Sequence, residues 1–156
     1  MKGEIKMGYC SGTINSVQEN AVTLTSNTAN IAFSADVVRT RSANCCGWLN
    51  HGVGGTQYQI TSPGIYEIMF NANVTSATAG AVALGIKSNG EVLSGTEMDY
   101  TVDTANTYGN ISANRKIRIC GNGSTTITVG SLPTSGTTAT QVPIVKNASL
   151  IITKEA

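Results

Sequence analysis

Aromatic side chains are scarce in this chain of 156 residues: two Phe, one Trp and five Tyr. Charge is scarce too. Charged residues make up 12% of the chain, against roughly 25% in an ordinary soluble domain. The formal net charge is +1. That balance excludes a polybasic protein of the kind that grips nucleic acid or a membrane surface, which needs clustered Lys and Arg. Neither nucleic acid nor membrane is therefore expected as a partner. His51 is the one histidine, which leaves few groups for general-base work, and no enzymatic activity is expected. No apolar run reaches the roughly 18 residues that a membrane helix needs. The opening Met1-Lys2-Gly3-Glu4-Ile5-Lys6-Met7-Gly8 is broken by charge and has no secretory apolar stretch. Folding in a cytosol is the expectation, with Cys10, Cys45, Cys46 and Cys120 as reduced thiols.

In place of charge and aromatics stand 21 Thr, 17 Gly, 14 Ser and 14 Asn. Hydrophobic residues still make up 40%, so the chain can close a core and is not a disordered composition. Thr, Val and Ile suit a pleated, half-buried surface better than a helix. The composition predicts an all-β protein, and the length predicts one core.

Alternation supports this. From Ile65 to Val74, the residues Tyr66, Ile68, Phe70, Ala72 and Val74 share one face, with Glu67, Met69, Asn71 and Asn73 on the other. Ile31 with Phe33, and Tyr58 with Ile60, repeat the pattern on a smaller scale. Between Ala81 and Lys87 the apolar positions are Val82, Leu84 and Ile86. The opposite face holds only Ala81, Ala83 and Gly85, which predicts close approach by another sheet, arm or subunit. Ser62-Pro63-Gly64 and Asn89-Gly90 are turn signals, the latter for a hairpin whose two central residues need positive φ. Strands are also expected over 115–120, 124–129, 143–145 and 148–154. Eight or more short strands at such spacing predict a β-sandwich. Residues 1–28 are sparser in apolar groups and read as an N-terminal arm before a domain over 29–156, although Val22 and Leu24 suggest one short strand within it.

Few positions invite chemistry. Cys45, Cys46, Trp48 and His51 gather in sequence, but their spacing matches neither a cysteine-protease signature nor a zinc site. A thiol pair beside an anchoring Trp is the expected reading. Gly52-Val53-Gly54-Gly55-Thr56 lacks the Lys and the following helix of a phosphate loop. No catalytic, cofactor or metal residue is assigned, and no cofactor is expected. Asp99, Tyr100, Asp103 and Tyr108, in the loop 94–110, are a candidate ligand site for a sugar, together with the loop 130–141, with Ca²⁺ as the alternative ligand of Asp99 and Asp103.

The order of these pieces resembles the tumour-necrosis-factor and complement-globular-head superfamily. The resemblance rests on Ile31-Ala32-Phe33-Ser34, on Tyr58 to Ile68 with its Pro63-Gly64-Ile65-Tyr66 turn, on Leu84 to Glu91 with its Asn-Gly hairpin, and on Ala148 to Ile152. It covers roughly residues 30–156. It implies a jelly-roll sandwich that assembles as a homotrimer. Bacterial and bacteriophage members are commonly surface modules, such as head fibres, fibre tips and spore-coat tips. The chain departs from the family in its few aromatics and in having no collagen-like repeat before the domain. Apolar or very small positions expected on outer sheet faces, Met69, Ala81, Ala83, Gly85 and Ile151, are the candidate trimer interface. Ile5, Met7, Tyr9, Ile14 and Val17 on the arm are candidate anchors to other virion proteins by strand addition. The expected function is a non-enzymatic structural module of a bacteriophage virion, a trimeric head-fibre or capsid-decoration protein assembled in the host cytoplasm. The alternative is a carbohydrate- or receptor-binding tip of a phage fibre or of a bacterial cell or spore surface, with a host-surface glycan as partner.

Overall fold

A computed structural model describes residues 11–25, 29–41, 47–120, 124–132 and 140–155. The strands run in chain order as β1 (Gly12–Gln18), β2 (Val22–Thr23), β3 (Ala35–Arg41), β4 (Leu49–Asn50), β5 (Tyr58–Ile60) and β6 (Gly64–Thr75). They continue with β7 (Gly80–Ser88), β8 (Glu91–Val92), β9 (Met98–Val102), β10 (Gly109–Ile119), β11 (Thr125–Ser131) and β12 (Ile144–Lys154). Two antiparallel sheets result. The first has the order β10-β6-β12-β1-β3, with β2 beside β12. The second has the order β4-β5-β11-β7-β8, with β9 also on β7.

The all-β reading and the sandwich follow from alternation. β6 sends Tyr66, Ile68, Phe70, Ala72 and Val74 inward, each at 2% exposure or less. Val82, Leu84 and Ile86 of β7 meet them from the other sheet, and all three are fully buried. Burying side chains of this size stabilises the fold by about 1.5–3 kcal/mol each. The few aromatics are concentrated in this layer: Phe33 meets Tyr58 edge-on at 5.9 Å, and Trp48 meets Tyr66 at 5.7 Å. Burial pushes the Tyr66 phenol up to about 12, partly opposed by its hydrogen bond to the Ser62 carbonyl. Asn89 and Gly90 both have positive φ, 51° and 87°, as the hairpin requires. The two C-terminal runs expected as separate strands are one strand, β12. It is kinked by a register shift between Lys146 and Ser149, with Asn147 at φ 50° inside it.

The arm is the main correction. Residues 12–18 are no attachment segment but β1, inserted between β12 and β3. Ile14 is fully buried in the core rather than free to anchor a partner, and Leu24 is 2% exposed. The domain therefore begins well before residue 29. Gly12 shows how tightly β1 fits: a Cβ there would collide with the Trp48 indole nitrogen. Ile5, Met7, Tyr9, Cys10, Cys45 and Cys46 lie outside the described residues. Cys120 is exposed with a free thiol.

Candidate functional site

Burial alternates along β1, β6 and β12, so the residues between the core positions share the outward face of the first sheet. The strand registers align them in rows. One row crosses five strands as Asn114, Met69, Ile151, Asn15 and Val38. The next is Ser112, Asn71, Ser149, Val17 and Ala35. Neither row holds an ionisable group. Charge begins in the flanking rows, with Lys146 beside Asn73 and Asn110 on one side and with Lys116 and Glu67 beside Thr153, Thr13 and Thr40 on the other. There Lys116 pairs with Glu155 at 3.2 Å.

The amides on this face are tied down within the sheet. Asn15 Nδ2 donates to Ser149 Oγ at 2.9 Å and to the Leu150 carbonyl at 3.1 Å. Asn110 Nδ2 donates to the side-chain oxygens of Asn71 and Asn73, both at 3.1 Å. What is left across the two rows is uncharged and partly apolar. Met69 is 41% exposed and Val38 44%, with Val37 beside it at 57%. A depression of about 450 Å³ between Met69, Asn71, Gly95, Ser112, Asn114 and Ile151 marks its centre.

The five residues expected at a trimer interface divide between two surfaces. Met69 and Ile151 are cross-strand neighbours on the outward face of the first sheet. Ala81, Ala83 and Gly85 lie on β7 of the second sheet, where the chain itself buries Ala83 and Gly85 and leaves Ala81 half-buried. The Ala83 carbonyl accepts the Leu132 amide at 3.0 Å, and the Ala81 carbonyl accepts those of Thr140 and Gln141. A Cβ at Gly85 would stand 2.7 Å from Val92 and 3.1 Å from Leu132. The small face on β7 is thus a correct signal of close approach, and the approaching group is intramolecular. Lys87 continues this covered face. Its ammonium reaches Asn30 Oδ1 at 3.0 Å, and burial pushes it below the usual lysine range.

The expected ligand loop is partly a strand, since Asp99 and Tyr100 belong to β9, paired to β7. Tyr100 packs over Gly109, where any Cβ would run into its ring. Tyr108 lies under the Lys146 ammonium, 3.9 Å from the ring centroid. Two of the four residues are therefore occupied by their own chain. Asp99 and Asp103 are exposed. A hydrogen bond with Asp99, then desolvation and the Asp99 charge, pushes the Glu97 carboxyl up. Among the described residues, no three His, Cys, Asp or Glu side chains gather as metal ligands would.

No family model and no curated protein sequence matches the chain. Solved structures do. The globular domain of zebrafish complement 1qA matches with TM-score 0.59 and 10% identity, covering 91% of this chain and 94% of that one. Murine APRIL at pH 8.0 matches with TM-score 0.61 and 10% identity, over 93% and 99% of the two chains. Eiger TNF from S. frugiperda matches with TM-score 0.57 and 9% identity, over 94% and 92%. At such identities the likeness speaks for the backbone alone, and the fold it shows is a jelly roll like those of these tumour-necrosis-factor-like and complement globular-head structures.

Proposed function

We propose that this protein is a non-enzymatic structural and interaction module that assembles as a homotrimer on the outward face of its first sheet. The observation that carries the reading is the pair of charge-free rows across five strands, with Met69 and Val38 left open to solvent. A monomer has no reason to keep such a surface uncharged, whereas a symmetric assembly buries it against copies of itself. The fold likeness is compatible with threefold assembly. The only histidine supports the non-enzymatic part: its side chain has no exposure and lies stacked on Tyr58. The proposal includes a place on a bacteriophage particle, as head fibre or capsid decoration, with a bacterial cell or spore surface as the alternative. A surface rich in Thr, Asn and Gly and poor in charge supports such an exposed knob.

Light scattering on the purified chain tests the assembly. The expected mass is three times the 16.1 kDa of one chain, and a mass of one chain at micromolar concentration overturns the reading. Antiserum against the chain tests the location: it should decorate phage particles, and labelling confined to cell envelopes or spores would move the protein there.

A further inference from the structure

One buried polar cluster has no part in the assembly face. It lies where edge strand β3 of the first sheet meets the segment between β4 and β5 of the second. Ser16 Oγ donates to Asp36 Oδ1 at 2.5 Å. His51 Nε2 stands 3.4 Å from the same oxygen, with no exposure of the His51 side chain and 7% for Asp36. Arg39 Nη1 is 3.7 Å from Asp36 Oδ2 and donates to the His51 carbonyl at 2.9 Å. The imidazole stacks on Tyr58, with ring centroids 3.7 Å apart and planes 9° from parallel. Burial, foremost, pushes the Tyr58 phenol far up, so that ring stays neutral.

The tautomer of His51 follows from its second nitrogen. Nδ1 lies 2.8 Å from the Gln57 carbonyl, which can only accept, so Nδ1 carries a hydrogen. A neutral ring would then turn the bare lone pair of Nε2 toward a buried carboxylate. Two acceptors would face each other, and His51 Nε2 and Asp36 Oδ2 both lack a hydrogen-bond partner among the described residues. Such an arrangement is costly in a buried site. A second proton on the ring removes the conflict, because the imidazolium donates from Nδ1 to Gln57 and from Nε2 to Asp36.

We propose that His51 and Asp36 form a proton-operated latch that ties β3 to the segment 51–57 and so joins one edge of the first sheet to the second. The groups facing the ring are Asp36 and Arg39 of β3, Tyr58 of β5, the Gln57 carbonyl, and Ser16 of β1 through Asp36. One carboxylate thus serves two cations, and the Arg39 guanidinium is the more exposed of them. In the unfolded chain, an imidazole loses its second proton near pH 6.5. In the folded chain, a second ring proton finds the Asp36 carboxylate as its acceptor, which the unfolded chain does not offer. The latch is therefore expected to hold β3 more firmly in mildly acidic than in alkaline solution.

The single histidine makes the test unambiguous, since one imidazole gives one set of ring nitrogen signals. The nitrogen spectrum of the folded full-length protein at pH 6.5 should show both ring nitrogens protonated; a bare Nε2 overturns the proposal. Amide exchange gives the structural readout. Protection of residues 37–41, corrected for the intrinsic pH dependence of exchange, should fall by about tenfold between pH 5.5 and pH 8. Protection of β6 should not change with it. In Asp36→Asn and His51→Gln the pH step should disappear. A step that persists in His51→Gln, or an unmodified protein whose β3 protection is flat with pH, contradicts the latch. Should the variants fail to fold, the two measurements on the unmodified protein decide.

Discussion

A chain that starts at residue 29 does not fold, whereas the full-length protein melts cooperatively. The expectation comes from the position of β1, which among the described strands is the sole partner of β3 and one of the partners of β12. Without it β12 loses a neighbour along most of its length, and β3 loses every ladder hydrogen bond. The core loses Ile14 and Leu24 as well. Truncating one buried Leu or Ile to Ala costs about 2–5 kcal/mol, and an ordinary domain holds about 5–15 kcal/mol in total. Removing two such side chains together with a central strand exceeds that margin. Far-ultraviolet circular dichroism with a thermal melt reads the outcome. A cooperative transition in the 29–156 chain, within a few degrees of the full-length midpoint, would show that β1 is an accessory after all.

The second large effect belongs to the outward face. Ile151→Lys places a charge in the middle of the two uncharged rows, next to Met69. In a lone chain the change is mild, because Ile151 is only half-buried and an extended lysine reaches water. In an assembly that buries the face, each copy brings the same unpaired cation into one interface. The penalty of several kcal/mol for like charges and desolvation amounts to about a thousandfold weaker association or more. The variant is expected to run as a monomer with unchanged β-sheet content. Val53→Lys, on a residue 65% exposed in the 51–57 segment, should leave the assembly intact. If Ile151→Lys retains the mass of the unmodified protein, the face is not the contact surface.

The parts of the fold legible in the sequence are those whose inward positions are large and apolar. β6 is readable because Tyr66 to Val74 alternate without a break, and the hairpin at Asn89-Gly90 because a type I′ turn demands those residues. β1 escapes a local reading for the converse reason. Its inward positions are Gly12, Ile14, Ser16 and Gln18, of which only Ile14 is a large apolar side chain. The others serve differently. Gly12 makes room for Trp48, Ser16 bonds Asp36, and Gln18 accepts from the Ser34 amide at 3.1 Å. β3 is an edge strand whose residues are mostly exposed, so burial imposes no period on it.

The candidate site is legible only in part. Met69 and Ile151 stand out individually, but which strands lie side by side, and hence the two rows, is a matter of register that no local pattern reveals. Ala81, Ala83 and Gly85 look equivalent to them in sequence because small residues signal close approach without saying by what. Val38, Asn15 and Ser149 carry no signal until the topology aligns them. The Asp36–His51 contact joins a strand of the first sheet to the segment between β4 and β5 through side chains, and sequence spacing gives no hint of it.

Oxidation of Met69 puts the central claim to the most direct test. An exposed methionine is readily converted to its sulfoxide, whereas a buried one resists. Met98, 4% exposed in the core, is an internal standard for protection. In the unmodified protein at micromolar concentration, a brief peroxide pulse followed by peptide mass spectrometry should find Met69 as protected as Met98. In Ile151→Lys it should be freely oxidised. Equal and rapid oxidation of Met69 in both proteins would mean that the face stays wet, and the account of this chain as a self-assembling module would be wrong.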